Sequence, residues 1–279
     1  MTLTRILFPV DFSPNCEKAA ALVRGLAGQH SSEVDLLHVM EPAEHLFSML
    51  EANGALLENL RQEWAVKAQA RLQRYLADQF PTASRTLLEG DPAMEICRFA
   101  DERGANLIVM PTHGFTLMRR FVLGSVTARV LHDAHCPVLT VMPDVEPHAF
   151  KNVVCAIDLR EQSERALRYA AALNPERLTV VHATPVVSTP VPAAMEGDLT
   201  TRVTQEARQE IGELLGRLNL KAAICVHPGE PEEIIRQDIA RHRGDLLVIA
   251  RGAVAGGLGR LRSHSYGIIN EAPCPVLSV

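Results

Sequence analysis

A glycine and a serine that follow a buried apolar run are the residues of this sequence best suited to chemistry. The run at 106–110 is closed by a turn at Gly114, and Gly124 and Ser125 follow ten residues later. Apolar positions then recur at helical spacing between 126 and 131, so Ser125 is expected to be the N-cap of a helix. Such a helix start presents unpaired N–H groups and the positive end of the helix dipole, which favour an anion such as phosphate. Because Gly124 has no side chain, a phosphate can approach the backbone closely.

A carboxylate and open backbone groups are expected at the same place. Apolar runs at 6–10 and 34–40 predict two strands, and the first of them ends in Asp11. In an open parallel α/β sheet, a ligand lies outside the carboxyl ends of the strands, where the strand order reverses. Asp11 and the end of the second strand at Val39 should therefore lie near the phosphate loop. Two structural alternatives stay open, since Asp11 could simply join the cap of the next helix and His38 is expected to be a hydrogen-bonded core residue.

The pattern Gly-x9-Gly-Ser after a buried strand, closed by Cys-Pro-Val-Leu at 136–139, resembles the nucleotide-binding signature of the universal stress protein family. In ATP-binding members a further glycine precedes the pattern by three residues, and Pro111 occupies that position here. The resemblance implies that backbone near Val39 hydrogen-bonds the adenine, that Met110 packs on the base or sugar, and that the helix start holds the phosphates. The binding residues implied in this way are Val10, Asp11, Val39, Met110, His113, Gly114, Gly124, Ser125 and Val126.

The second half of the chain repeats the plan of the first. Gly252 and Ser263 follow Gly114 and Ser125 at a constant distance of 138 residues. A repeat this long indicates duplicated domains, and strands that alternate with helices predict a parallel sheet covered on both faces. The resemblance covers nearly the whole chain and implies two tandem doubly wound α/β domains of the Rossmann-like, adenine nucleotide alpha hydrolase-like class. Their expected limits are 1–144 and 150–279.

The loop of the second domain departs from the pattern. Gly252 and Ser263 match their counterparts, but Arg262 stands at the position of Gly124. A side chain there would occupy the place where bare backbone meets phosphate, and its guanidinium could fill the anion site itself. The second domain is therefore expected to be structural or regulatory and not to bind ATP in the same manner.

Composition and charge argue against several classes of protein. A net charge of −5 over 279 residues does not favour a general nucleic-acid or anionic-membrane surface. Apolar runs stay below the roughly 18 to 20 residues needed to cross a bilayer, and the N-terminus enters a strand, so a cytoplasmic protein is expected. The six cysteines form no C-x-x-C pair and most lie in apolar segments, which predicts reduced, buried thiols.

Other polar residues have a structural explanation as well as a functional one. Arg119 and Arg120 could neutralise phosphates or could be solvated. His132, His135 and Cys136 form an H-x-x-H-C cluster. No fourth zinc ligand is evident beside it, and histidines at a helix C-terminus also interact favourably with the dipole, so no metal site is predicted.

The favoured function is binding of ATP or a related adenine nucleotide, with Mg²⁺ as an option, by the first domain of a stress-response protein. The sequence has neither a Walker lysine nor a kinase catalytic set, so slow ATP hydrolysis is the most that is expected of it as an enzyme. No G-x-G-x-x-G follows the first strand, which argues against a dinucleotide-dependent oxidoreductase. The alternative, favoured by Pro111 and Arg262, is a nucleotide-free module that acts through a protein partner. The resemblance also implies pairing of the two domains within the chain, and a homodimer is left open.

Overall fold

Buried apolar strands that lead into capped helices build both halves of the chain. The computed structural model describes residues 3–41, 54–112, 123–142, 150–186, 193–251 and 263–279. The strands are β1 Arg5–Pro9, β2 Glu33–Met40, β3 Ser84–Glu89, β4 Leu107–Pro111, β5 Val138–Val141, β6 Asn152–Ala156, β7 Arg177–Thr184, β8 Ala223–Pro228, β9 Leu246–Ile249 and β10 Val276–Ser278. The helices are α1 Pro14–His30, α2 Gly54–Gln79, α3 Pro92–Arg103, α4 Ser125–Asp133, α5 Ser163–Ala172, α6 Ala193–Arg217, α7 Pro231–His242 and α8 Ser263–Glu271.

The chain forms two compact units, and the division falls inside β5, between Val138 and Leu139. In the first unit, β1 pairs in parallel with β2 and with β4, and β2 pairs with β3. In the second unit, β6 pairs in parallel with β7 and β9, β7 with β8, and β9 with β10. Each unit has the α/β architecture with a parallel sheet that the sequence predicts, so the expected fold class is confirmed. The domain limits 1–144 and 150–279 stay a prediction.

The sequence explains why these elements form. Ile6, Leu7 and Phe8 on β1 are almost fully buried, as expected for a strand covered on both faces. The helix after β1 begins with Pro14, and the Ser13 hydroxyl accepts a hydrogen bond from its first turn. Among the described helices, none combines the length and the apolar character that a membrane span requires.

The cysteine prediction holds for three of the six thiols. Cys16, Cys155 and Cys274 are buried, and burial raises the pKa of Cys16 and of Cys274 to about 12. These thiols are therefore protonated and inert at neutral pH. The other three, Cys97, Cys136 and Cys225, are only half-buried, so the expectation of buried thiols is wrong for them.

Asp35 on β2 is a buried carboxylate that connects four elements of the first unit. Its Oδ2 accepts from Arg5 Nη1 on β1 at 3.0 Å, and its Oδ1 accepts from Arg103 Nη2 at the end of α3 at 3.0 Å and from the Ser84 hydroxyl on β3. Burial alone would raise the pKa of Asp35, but the hydrogen bonds from Arg103, Ser84 and Arg5 outweigh it and lower the pKa. The carboxylate is therefore ionised at neutral pH, with partners on both oxygens.

We expect Asp35→Ala to lower the free energy of unfolding of the first unit by about 2–4 kcal/mol at neutral pH, because buried polar partners lose their acceptor. Since the folded-state pKa lies below the unfolded value of about 3.9, this stabilisation is present above that value and is lost as the pH falls through the folded-state pKa. Urea unfolding at neutral pH and near pH 2 measures both effects. Glu33→Ala, which removes an exposed partner of Arg5, is the control and should have little effect. A difference between wild type and Asp35→Ala that persists unchanged in acid would contradict the interpretation.

Candidate functional site

A cavity of about 440 Å³ lies at the carboxyl ends of β1, β2 and β4 in the first unit. Because β1 lies between β2 and β4, this is the place where the strand order reverses and where ligands bind in open α/β sheets. The volume is that of a small-molecule site. The cavity is lined by Pro9, Val10, Asp11, Leu37, His38, Val39, Glu41, Pro92, Ile96, Met110, Pro111, Gly124, Ser125, Val126 and Thr127.

The structure brings together most of the residues that the sequence singles out. Of the predicted binding residues, Val10, Asp11, Val39, Met110, Gly124, Ser125 and Val126 all line the cavity. His113 and Gly114 lie outside the described residues, as do Arg119 and Arg120. The role of the whole set in binding stays a prediction.

Other lining residues are not among the ligand contacts that the sequence predicts. They include Glu41, Ile96 and Thr127, and also His38, for which the sequence predicts a place in the core. The position of Glu41 directly after a strand could have indicated it, by the same reasoning that indicates Asp11. Nothing in the local sequence marks Ile96, which reaches the cavity from α3.

The start of α4 differs from the prediction that Ser125 is its N-cap. Gly124 is the N-cap instead, with extended backbone angles of φ −58° and ψ 143°, and its carbonyl accepts from Ala128 N at 2.9 Å. Ser125 is the first helical residue and is exposed. The reason lies just after β4, because Gly124 N donates to the carbonyl of Thr112, the residue that follows the strand, at 2.8 Å and thereby sets where the helix begins.

The first turn of α4 presents three backbone N–H groups that have no acceptor within the helix. They belong to Ser125, Val126 and Thr127, whereas the N–H of Gly124 is already bonded to Thr112. The Thr127 hydroxyl donates to Pro111 O at 3.0 Å, which fixes this turn against the end of β4. The three amides, the helix dipole and the exposed Ser125 hydroxyl together form a site for an anion.

The end of β2 offers a second set of backbone groups. Val10 N donates to Leu37 O at 2.8 Å, and on the other side Gly90 N donates to Met40 O at 3.0 Å. Peptide groups alternate between the two sides of a strand, so Val39 directs its N–H and C=O to the same side as Leu37. β1 has already ended at Pro9 on that side. The peptide groups of Val39 therefore face the cavity, where a flat heterocycle could hydrogen-bond to them.

Two carboxylates lie on the same cavity. Asp11 Oδ1 accepts from the backbone N–H of Ser13, the N-cap of α1, at 2.9 Å, so Asp11 joins the cap of the helix as in the predicted structural alternative, and it also lines the cavity. Glu41 follows the end of β2 and is exposed. Carboxylates repel phosphate, but they can share a divalent cation with it or accept from sugar hydroxyls and amino groups. Both types of contact suit a ligand that carries a phosphate group at one end and sugar hydroxyls next to it.

The imidazole of His38 is hydrogen-bonded, as predicted, yet it lines the cavity. Its Nδ1 lies 2.6 Å from Val10 O, and because a carbonyl oxygen only accepts, Nδ1 must carry a proton. Burial lowers the pKa of His38, so the ring is neutral at neutral pH and Nε2 is an acceptor. His182 in the second unit makes the matching contact with Ile157 O at 2.8 Å.

The strand ends of the second unit repeat those of the first. Ile157 N donates to Val181 O, and Gly229 N donates to Thr184 O, both at 3.0 Å. Gly252 and Arg262, on which the predicted difference between the loops depends, lie outside the described residues. The expectation that this unit does not bind ATP in the same manner therefore stays a prediction.

The H-x-x-H-C cluster does not converge on one point. His132 Nδ1 lies 2.6 Å from Asp133 Oδ1, and His135 Nδ1 lies 2.9 Å from Asp101 Oδ2. Each imidazole therefore pairs with a different carboxylate. These contacts are ordinary surface ion pairs or hydrogen bonds of small energetic weight.

These features define a class of protein, the doubly wound α/β domain with a ligand cavity at the switch point of its sheet. The family model described as the universal stress protein family matches residues 2–142 and 149–279, and the chain belongs to this family as a tandem two-domain member.

Known proteins agree with this assignment. A universal stress protein of Methanocaldococcus jannaschii is 35% identical over 138 residues, which are 49% of this chain and 81% of that protein. The crystal structure of a universal stress protein from Archaeoglobus fulgidus is 21% identical, covers 100% of this chain and 98% of its own, and has a TM-score of 0.74, which shows the shared fold. A universal stress protein solved in complex with cAMP is 19% identical and covers 52% of this chain, with a TM-score of 0.36.

We expect the His38 ring to titrate below the ordinary value of about 6.5, and its neutral form to carry the proton on Nδ1. The reason is that burial opposes the charged form, while Val10 O requires a donor. Nitrogen-detected NMR across the acid range measures both the pKa and the tautomer, and the protein unfolded in urea supplies the reference. A ring that is doubly protonated at neutral pH, or that carries its proton on Nε2, would show the contact with Val10 to be wrong.

Proposed function

We propose that the first unit binds ATP or a related adenine nucleotide in the cavity at the ends of β1, β2 and β4. One observation carries the proposal, namely that the open start of α4 and the open peptide groups of Val39 line the same cavity. The first favours an anion and the second favours a planar group with both a donor and an acceptor. Membership of a family in which a relative has been solved in complex with cAMP supports the same class of ligand.

The base and the sugar have distinct places in this proposal. An adenine edge carries an amino donor beside a ring-nitrogen acceptor, which complements the C=O and N–H of Val39. Val10 and Met110 are buried apolar residues of the lining, and with Ile96 they supply surfaces on which the ring can pack. Pro111, at the position at which ATP-binding relatives are expected to have glycine, also lines the cavity.

The phosphates would lie on the first turn of α4. Ser125, Val126 and Thr127 offer their amides there, and among the described lining residues there is no lysine or arginine. The helix dipole offsets only part of the charge of a triphosphate. We therefore include a Mg²⁺ ion in the proposal, held between the phosphates and Asp11, since Mg²⁺ is commonly bound by one or two carboxylates and substrate phosphates.

Binding itself is the proposed activity. None of the described lining residues forms a nucleophile with an adjacent base, and His38 is already bonded to backbone through Nδ1. We propose that nucleotide occupancy in the first unit is the signal of a cytoplasmic stress-response protein and that the second unit is structural or regulatory. A homodimer and a protein partner belong to the same proposal.

Gly124→Arg tests the anion site by copying the second-unit residue into the first unit. At φ −58° and ψ 143° the backbone of Gly124 accommodates any residue, so the fold should be unchanged. We expect wild type to gain stability with MgATP, about 2.7 kcal/mol at 100 times the dissociation constant, and Gly124→Arg to gain none. Thermal unfolding with and without MgATP measures this.

The reciprocal variant Arg262→Gly leaves the first-unit site unchanged, so it is the matched control and should gain at least as much stability with MgATP as wild type. Equal stabilisation of Gly124→Arg and wild type would mean that the phosphates bind elsewhere. If millimolar MgATP stabilises none of the three proteins, the nucleotide-free interaction module is the better description.

A second pair of variants tests the cation. Asp11→Asn retains an acceptor for Ser13 N but loses the charge, so we expect MgATP affinity to fall about tenfold while metal-free ATP binds equally well or better. Asp158→Asn makes the same change in the second unit, where Asp158 Oδ1 accepts from Arg160 N at 3.1 Å, and should leave the affinity unchanged. Calorimetric titration with ATP, with and without Mg²⁺, distinguishes the cases. If Asp11→Asn binds MgATP as tightly as wild type, the proposal that Asp11 holds the cation is wrong.

A further inference from the structure

A thiol, a carboxylate and an imidazole converge in the second unit, between β8 and α7. Among the described residues, Cys225, Asp238 and His242 are the group of potential metal ligands whose ligand atoms all lie within 4.8 Å of one another. Cys225 Sγ lies 3.4 Å from His242 Nε2, and His242 Nε2 lies 4.0 Å from Asp238 Oδ1. The cluster is separate from the cavity of the first unit and takes no part in the proposed nucleotide site.

The carboxylate of Asp238 has an unsatisfied oxygen. The side chain is buried, and its Oδ1 accepts from Arg241 Nη1 at 2.6 Å. Its Oδ2 is buried without a hydrogen-bond partner, since His227 Nε2 lies 3.3 Å away but not in hydrogen-bonding geometry. A buried carboxylate oxygen left in this way is costly. A buried carboxylate is ordinarily hydrogen-bonded at both oxygens, as Asp35 is in the first unit.

The fold does not require a carboxylate at this place. The helices α3 and α7 begin at Pro92 and Pro231, 139 residues apart, so Phe99 occupies in the first unit the position of Asp238 in the second. Phe99 is a buried apolar residue, which shows that the same packing site accepts a hydrocarbon ring. The first-unit counterparts of Cys225, His227, Asp238 and His242 are Thr86, Leu88, Phe99 and Arg103.

We propose that Cys225, Asp238 and His242 form a binding site for a divalent cation of the zinc type. With Zn–S near 2.3 Å and Zn–N near 2.0–2.1 Å, a tetrahedral ion separates its sulfur and nitrogen ligands by about 3.5 Å, which matches the 3.4 Å between Cys225 and His242. The mixture of thiolate, imidazole and carboxylate selects zinc or cobalt over Mg²⁺ and Ca²⁺, which prefer oxygen ligands.

Each carboxylate oxygen of Asp238 then has a role. Oδ1 is the oxygen that lies 4.0 Å from His242 Nε2, so the carboxylate has to turn for Oδ2, the oxygen without a hydrogen-bond partner, to bind the cation. Oδ1 stays bonded to Arg241, in the way that ligating carboxylates are commonly oriented by an outer hydrogen bond. The fourth position of the tetrahedron is open to water or to His227, whose Nε2 lies 3.3 Å from Oδ2. The cation would join α7 to β8, the outermost strand of the second unit.

Titration of the reduced, chelator-treated full chain tests the site. We expect one Zn²⁺ per chain by calorimetry in a non-chelating buffer, and one Co²⁺ per chain with the visible bands of a tetrahedral ion and a thiolate-to-cobalt charge-transfer band. Cys225→Ala and His242→Gln, both at half-buried positions, should fold and should lower the Zn²⁺ affinity by at least about tenfold. Asp238→Asn should do the same, with circular dichroism as the check on its fold.

His135→Gln is the matched control, because it removes a histidine from the H-x-x-H-C motif and should leave the stoichiometry and the cobalt spectrum unchanged. A wild-type protein that binds less than one Zn²⁺ would overturn the proposal. Binding that persists in both Cys225→Ala and His242→Gln, or that disappears in His135→Gln, would do so as well. MgATP should leave the cobalt spectrum unchanged, so this test and those of the nucleotide site succeed or fail separately.

Discussion

Parallel pairing of β1 with strands on both sides is the constraint on which the first unit depends. It brings the carboxyl ends of β1, β2 and β4 to one edge, and β1 ends at Pro9 while β2 continues to Met40. The difference in length leaves Val39 without a paired residue on the β1 side, while on its other side it is in register with Leu88 of β3. The cavity therefore results from strand pairing and strand length together, and the side chains that line it modify a site that the backbone has already created.

The two units show how one fold carries different buried polar groups. In the first unit, Asp35 sits between β1, β3 and α3 with arginine partners, and Thr179 occupies the corresponding place in the second. In the second unit the buried carboxylate lies instead on α7, at Asp238, where the first has Phe99. Because burying a charge is costly unless it is paired, each such carboxylate demands its own set of partners. The two units therefore share a backbone fold but place their buried charged side chains at different positions.

Much of the fold could be predicted from the sequence, because it rests on local patterns. Apolar runs of four to eight residues mark the strands, and the constant offset between Ser125 and Ser263 marks the repeat. The strand-end rule placed Asp11 and Val39 at the cavity that the structure shows. Chain order and strand polarity are sufficient for inferences of this kind.

The errors arise where the outcome depends on contacts between distant parts of the chain. Ser125 has the residue type of an N-cap, but the hydrogen bond from Gly124 to Thr112 moves the helix start by one residue. His38 on β2 makes the backbone hydrogen bond expected of a core histidine, to Val10 O. It also lines the cavity, because β1 ends beside it. Cys225 and Asp238 are 13 positions apart, and their proximity depends on how α7 packs beside β8, which no local pattern encodes.

The bond between Gly124 N and Thr112 O has one further consequence. It holds the first turn of α4 before any ligand arrives, and it leaves the next three amides uncommitted. An incoming anion would break no internal contact and would order no loose backbone at this turn. Association at such a preorganised surface forfeits little conformational entropy, so more of the attraction between amide and anion remains as affinity.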